Sequence, residues 1–271
     1  MHQQAITLLR CPKCGDGLTA QGQSLICPKR HCYDVARQGY VNLAPGRRDD
    51  FYTKALFESR AQVFASGVYD PVIREITQAI ERHKPQGRLT LVDAGCGEGF
   101  YTHSVCPGRE MTRIGFDLSK EAVRLAARHK DASFFVGDLA AIPLADGCAD
   151  VVLDVFTPAN YAQFARILKA DGLIIKLSPR SGYLKQLRQA AASQLRRASY
   201  DGSQVEAYAK EHLEVLETRE IAYTVPVGGE LIMHLARMTP MLAGVDVSSL
   251  DLSGVREITV EETMVVGRAL R

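Results

Sequence analysis

Apolar positions change their period along this chain. Early on, "LTAQGQSLI" (18–26) is short and alternating, which suits a hairpin with its turn at Gln21–Gly22. From Asp70 onward, helical and strand patterns alternate. "DPVIREITQAIERHK" (70–84) opens with an Asp cap and an early Pro, and sets Val72, Ile73, Ile76, Ala79 and Ile80 on one face. An apolar strand follows in "LTLVDAGCGEGFYTH" (89–103), then a glycine-rich turn and a helix start. Further strands are expected at 112–119, 133–139, 150–156 and 173–179, with helices over 161–172 and 180–198. "EIAYTVPV" (220–227) and "REITVEETMVVGRAL" (256–270) have period 2. Alternation of this kind predicts an α/β, Rossmann-like sheet, mostly parallel with an antiparallel end.

Composition adds limits rather than detail. The 271 residues are 46% hydrophobic and 24% charged, enough for a large domain plus a small one. No apolar run reaches the roughly 18 to 20 residues that span a bilayer. The start "MHQQAITLLRCPKC" lacks the apolar core of a signal peptide, so a cytoplasmic protein is expected. Reduced thiols in that compartment argue against disulfides among the seven cysteines.

Net charge is only +2, but its distribution is uneven. Residues 1–54 hold Arg10, Lys13, Lys29, Arg30, Arg37, Arg47, Arg48 and Lys54 against Asp16, Asp34, Asp49 and Asp50. Residues 172–200 hold Lys176, Arg180, Lys185, Arg188, Arg196 and Arg197 and no acid, while 206–220 is net acidic. Such runs are often solvated faces, but two basic patches flanking a cofactor site point toward nucleic acid.

Cys11-x2-Cys14 and Cys27-x3-His31 form two knuckles separated by 12 residues, each with its own turn residues. A tetrahedral metal needs four ligands, and two tight knuckles deliver two each. That spacing predicts a small zinc ribbon. A redox Cys-x-x-Cys would follow a strand and open a helix, which the downstream residues do not suggest. Cys32 directly follows His31, and the spacing leaves open which of the two is the fourth ligand.

Strand, Gly95-x-Gly97-x-Gly99 and helix form a unit whose glycines admit a ligand at the helix N-terminus. The third glycine falls one residue too early for the dinucleotide fingerprint. Asp93 at the strand end suits a cationic ligand rather than a pyrophosphate. Asp117, 20 residues past Gly97, can accept from ribose hydroxyls, and Asp138 from an adenine amino group with Leu139 against the ring. Acids at three successive strand tips, with no phosphate-cradling loop, describe a site for S-adenosylmethionine; a nicotinamide or flavin site is the competing reading.

With these motifs in hand, the sequence resembles the bacterial 23S ribosomal RNA guanine-N1 methyltransferases. "CPKC", "ICPKRH", "GYVNLAP" (39–45), "SRAQVFASGVYDP" (59–71) and "DAGCGEGFYTH" (93–103) carry the resemblance, extended by "FDLSK" (116–120), "IPLADGCAD" (142–150) and "ARILKADG" (165–172). It implies a zinc-ribbon RNA-recognition domain over 1–45, a linker over 46–69 and a class I methyltransferase domain over 70–271. It further implies zinc on Cys11, Cys14, Cys27 and His31, S-adenosylmethionine at Gly95, Gly97, Asp117, Asp138 and Leu139, and a homodimer. The implied reaction is methylation of a guanine N1 in a hairpin loop of 23S rRNA.

Under that reading, Lys13, Lys29, Arg30 and Arg37 would grip RNA through phosphates and shape. Asp154, in "DVFTP" (154–158), is a candidate acceptor for the N1 proton, with a structural carboxylate as the competing reading. Tyr101 and Phe156 could stack on the unstacked base or simply fill the core. A small-molecule methyltransferase with a structural ribbon, or a non-catalytic RNA-binding module, are the alternatives.

Overall fold

The structure is a computed structural model describing residues 1–46, 54–84, 86–195 and 202–270. Arg47, Arg48, Arg196 and Arg197 of the basic runs fall outside the described residues. The N-terminal region contains α1 (Gln3–Leu8), β1 (Thr19–Gln21), β2 (Ser24–Ile26), β3 (Cys32–Asp34) and β4 (Val41–Asn42). Strands β1 to β3 form a three-stranded antiparallel sheet. The hairpin turn falls at Gly22–Gln23, one residue beyond expectation, because Gln21 pairs with Ser24 and Gly22 takes the left-handed φ of 61° that glycine favours.

Helices α2 (Lys54–Ala65) and α3 (Asp70–His83) lead into β5 (Leu89–Ala94), α4 (Phe100–Ser104), β6 (Met111–Asp117), α5 (Lys120–Ala126) and β7 (Ser133–Val136). Next come β8 (Ala149–Val155), α6 (Tyr161–Ile167), β9 (Leu168–Pro179), α7 (Lys185–Ala190) and α8 (Ser203–His212). The chain ends with β10 (Leu213–Pro226), α9 (Glu230–Met238) and β11 (Glu257–Ala269). The large sheet runs β10-β11-β9-β8-β5-β6-β7-β4, parallel from β9 to β4, with β11 antiparallel to both its neighbours. Strand order reverses beside β5, and ligands of doubly wound sheets sit outside the strand C-termini at such a point.

Several elements differ from the pattern-based expectation. The basic helix expected over 180–198 shortens to α7, and the helix expected over 161–172 stops at Ile167, where β9 begins. Strand β9 needs the extra length to span the sheet between β8 and β11. The expected linker 46–69 contains α2, whose Phe57, Val63 and Phe64 are buried.

Nor does residue 45 mark a break in packing. Strand β4 extends the large sheet, with Val41 opposite Phe135 and Asn42 opposite Val136. Arg10 N donates to Pro143 O and Ala145 N to Leu8 O. Leu9, Cys11, Leu25 and Cys27 lie in one buried cluster with Val92, Ile114 and Phe116 of the large sheet. A ribbon of three-residue strands is too small for a core of its own and borrows one. No described helix is long and apolar enough to cross a membrane.

Candidate functional site: a metal knuckle and a two-sided cavity

The two knuckles meet at one point. The ligand atoms of Cys11, Cys14, Cys27 and His31 all lie within 4.8 Å of one another. Tetrahedral ligands at about 2.0–2.3 Å from zinc stand roughly 3.5–3.8 Å apart. Here His31 Nδ1 is 3.3 Å from Cys11 Sγ and 3.4 Å from Cys27 Sγ, and Cys14 Sγ is 3.7 Å from Cys27 Sγ. The donor set and its spacing fit zinc. Cys32 lies in β3 opposite Ile26, exposed, and is not part of the cluster. Tyr33 reaches the cluster instead, its hydroxyl 3.2 Å from Cys11 Sγ.

Lys13, Lys29, Arg30 and Arg37 are exposed around these knuckles. Lys29 leans toward Asp16 at 3.5 Å, a weak surface pair. Arg30 adopts a left-handed backbone with φ 63° at the second knuckle.

A cavity of about 1230 Å³ opens at the C-terminal edge of the parallel strands. Asp93, Gly95, Gly97, Asp117, Asp138 and Leu139 all line it. Gly95 N and Cys96 N donate to Phe116 O at 2.9 Å, which turns the loop sharply out of β5. A Cβ at Gly95 (φ 72°) would overlap the Thr157 side chain, and one at Gly97 (φ 55°) would stand 3.4 Å from the Arg60 guanidinium. Only glycine leaves the backbone open at that point.

The acids are held in place. Asp117 accepts from Gly97 N at 2.9 Å and from Ser119 N at 2.8 Å. Asp138 accepts from Ala140 N at 2.8 Å. Asp93 accepts from the Thr102 hydroxyl at 2.5 Å. Burial pushes the Asp93 carboxyl up to about 7, against the pull of Thr102 and helped by the nearby Asp117 and Asp154 carboxylates. A cationic ligand beside it would restore the carboxylate. Glycine-lined backbone and three oriented carboxyls fit S-adenosylmethionine, whose sulfonium and ammonium are cationic and whose ribose and adenine offer donors.

The same cavity also carries cations. Arg60 of α2, Lys176 of β9, and Arg180 and Arg188 beyond β9 line the same cavity. Arg60 Nε stands 2.9 Å from both Glu98 oxygens, with its guanidinium carbon 5.1 Å above the Phe64 ring. Tyr69, Tyr101 and Tyr183 also line the cavity, and the Tyr69 and Tyr183 hydroxyls meet at 2.5 Å. Phe156 stands on it 41% exposed, 5.4 Å from the Tyr183 ring, with φ 56°. A left-handed bulky residue is strained, and such strain gathers at functional positions.

Asp154 is not among the cavity-lining residues. It is fully buried inside β8, and its Oδ1 accepts from Lys176 Nζ at 2.9 Å. Burial pushes its carboxyl up to about 6, held from rising further by the Lys176 ammonium. Lys176 also donates to Thr157 O, so the pair braces the loop that packs against Gly95. Asp154 was expected to end a strand at the cofactor edge; β8 instead continues one residue beyond it, to Val155, and buries its side chain, as the structural-carboxylate reading requires.

Sequence reasoning assigned no role to Arg60, Phe64, Tyr69 or Tyr183, and counted Lys176 only as one cation of a basic run. Three of these lie in "SRAQVFASGVYDP", quoted only for resemblance, and Lys176 interrupts the apolar run "LIIKLSP" (173–179). A lysine in the middle of a buried strand was the readable signal.

Comparison with known proteins agrees with this geometry. Residues 9–49 match a zinc-ribbon family model described as "RlmA, N-terminal", and residues 86–223 match one described as "Methyltransferase domain". A Bacillus subtilis (strain 168) protein, provisionally named a 23S rRNA (guanine-N(1)-)-methyltransferase, is 34% identical over 96% of this chain and 97% of its own. The 23S rRNA (guanine(748)-N(1))-methyltransferase of Streptomyces fradiae is 32% identical over the full length of both chains. Among solved structures, a Haloferax volcanii methyltransferase in complex with its Trm112 activator superposes with a TM-score of 0.51 at 19% identity. That match covers 81% of this chain and 99% of the other, and speaks to the fold alone.

Proposed function

Because this chain belongs to the family of 23S rRNA guanine-N1 methyltransferases, we propose that it methylates N1 of one guanine in a hairpin loop of 23S rRNA. It is an S-adenosylmethionine-dependent enzyme with a zinc ribbon. The observation that carries the substrate reading is that one cavity holds both the three acids of the cofactor site and four cations, Arg60, Lys176, Arg180 and Arg188. Its volume of about 1230 Å³ exceeds the ~300–1,000 Å³ of an ordinary small-ligand pocket, leaving room for a nucleotide beside the cofactor.

S-adenosylmethionine supplies an electrophilic methyl when bound. The protein's part is alignment and charge. Asp117 accepts from ribose hydroxyls, Asp138 and Leu139 hold the adenine, and Asp93 balances the cationic end. Cys11, Cys14, Cys27 and His31 hold zinc, and the ribbon they brace presents Lys13, Lys29, Arg30 and Arg37 to RNA phosphates. Phe156 offers a face for a base turned out of its stack, while Tyr101 is buried in the core cluster. Asp154 acts through Lys176 as a positioning residue for the Thr157 loop. The enzyme works in the cytoplasm, where its rRNA is.

A reverse-transcription stop assay tests the reading. Purified protein is incubated with S-adenosylmethionine and 23S rRNA from a strain lacking the modification, with a cofactor-free control. Methylation at N1 blocks the pairing edge, so one new cofactor-dependent stop in a stem-loop is expected. No stop despite bound cofactor and zinc would overturn the RNA reading and favour a small-molecule substrate.

A further inference from the structure

The four cations of the cavity wall are not equivalent. Arg60 pairs with Glu98 at 2.9 Å, Lys176 with Asp154 at 2.9 Å, and Arg180 with Glu220 at 2.5 Å and Glu261 at 3.5 Å. Arg188 has no ion pair and no side-chain hydrogen bond among the described residues, and its Nε is buried without a partner. A buried donor left unmade is costly, and native proteins seldom keep one without a use. The three acids that line the cavity sit at the C-terminal ends of β5 and β6 and just after β7, whereas Arg188 comes from α7 beyond β9.

An arginine in this state suits one chemistry. Its planar fork of N–H donors matches a phosphate, and the weak hydration of guanidinium lowers the cost of keeping it partly buried. The cofactor is cationic and brings no phosphate. A nucleotide inserted beside it brings a phosphodiester on each side of its sugar.

Resting on the rRNA reading above, we propose that Arg188 is the phosphate clamp of the substrate strand, gripping a phosphodiester next to the target guanosine. It binds and positions the nucleotide and takes no part in proton or methyl transfer. The three paired cations shape the wall, while Arg188 supplies the charge that is neutralised only when RNA enters. Specificity for the base is left to the rings at the cavity, because a phosphate contact carries no sequence information.

The test compares Arg188→Gln and Arg188→Lys with the parent enzyme on unmodified 23S rRNA, measuring kcat and KM for RNA at several KCl concentrations. S-adenosylmethionine affinity, zinc content and melting temperature are measured alongside. Arg188→Gln is expected to lower kcat/KM at least 10-fold through KM, with cofactor affinity unchanged. Its plot of log kcat/KM against log salt should be shallower by about 0.7–0.9, the loss of one phosphate contact. Arg188→Lys should restore the salt slope but only part of the rate, since a point charge lacks the fork. A Gln variant within twofold of the parent and with the same slope overturns the proposal, as does a loss of cofactor affinity equal to the loss of rate. Parent enzyme inactive on the rRNA would instead overturn the substrate reading, and the clamp with it.

Discussion

The zinc ribbon and the parallel sheet are held together in opposite ways. Strands β1 to β3 have three residues each, and β1 is exposed throughout. Strand β8, by contrast, is buried at all seven positions. The sheet is stabilised by apolar area removed from water, at roughly 25 cal/mol per Å². The ribbon has little such area and depends on four ligand bonds to one ion. What its fold does contribute, through Leu9, Leu25, Cys11 and Cys27, is pooled with the sheet's own core. A small unit that cannot bury a core alone can still be rigid if a metal ties one side and a neighbour covers the other.

The sharpest way to break that comparison is to remove the metal. Cys27→Ser, or a chelator, should unfold the ribbon, since zinc in peptides of this size supplies about 10–16 kcal/mol of apparent folding energy. Because the core is shared, calorimetry should show one transition lowered by more than about 10 °C, with rRNA methylation lost. Two separate transitions, the upper one unmoved, would mean that the ribbon and the sheet are independent after all.

An intermediate effect is expected at the cofactor loop. Gly95→Ala forces a left-handed φ on alanine, at about 1 kcal/mol, and drives its Cβ into Thr157. Isothermal titration should show S-adenosylmethionine affinity down by about 100-fold or more while zinc content stays at one per chain. Unchanged affinity would show that Thr157 can move aside.

The smallest effect lies within the sheet, at Glu262 of β11. It is fully buried, neither oxygen has a hydrogen-bond partner among the described residues, and burial pushes its carboxyl from 4.5 up to about 8. The unfolded chain releases this proton near the ordinary value and the folded chain only near pH 8. Stability is therefore undiminished below about pH 4.5 and falls as pH rises toward 8, with Asp93 and Asp154 pulling the same way over narrower windows. Glu262→Gln should match the parent near pH 5 and be more stable by about 1–3 kcal/mol above pH 8. Denaturant melts at both pH values would show it, and equal stability at pH 8.5 would mean the carboxyl finds a partner in solution.

How far the site could be read from sequence differs between the two regions as well. The knuckle spacing was nearly sufficient, because ligands three or four residues apart must lie close together. It stopped at His31 against Cys32, since that choice depends on which side chain β3 turns outward. The glycines and strand-tip acids were legible for a similar reason: a strand–turn–helix places them by local geometry. Asp154 could be read from sequence either as a proton acceptor or as a structural carboxylate, because one residue of strand length decides whether a side chain faces the cavity or the core. Arg188 appeared only as one cation in a basic run; its lack of a partner among the described residues is a property of everything around it.

What the sequence by itself determined is therefore what local covalent and periodic constraints determine: three of the four metal donors, the cofactor turn, the alternating sheet and the family. Tertiary structure decided the rest. It pooled the ribbon's core with that of the sheet, brought α2 and α7 to one cavity, paired three cations and left Arg188 without an acid among the described residues. These outcomes depend on segments far apart in sequence meeting in space, and the burial and charge balance at each position come from those meetings.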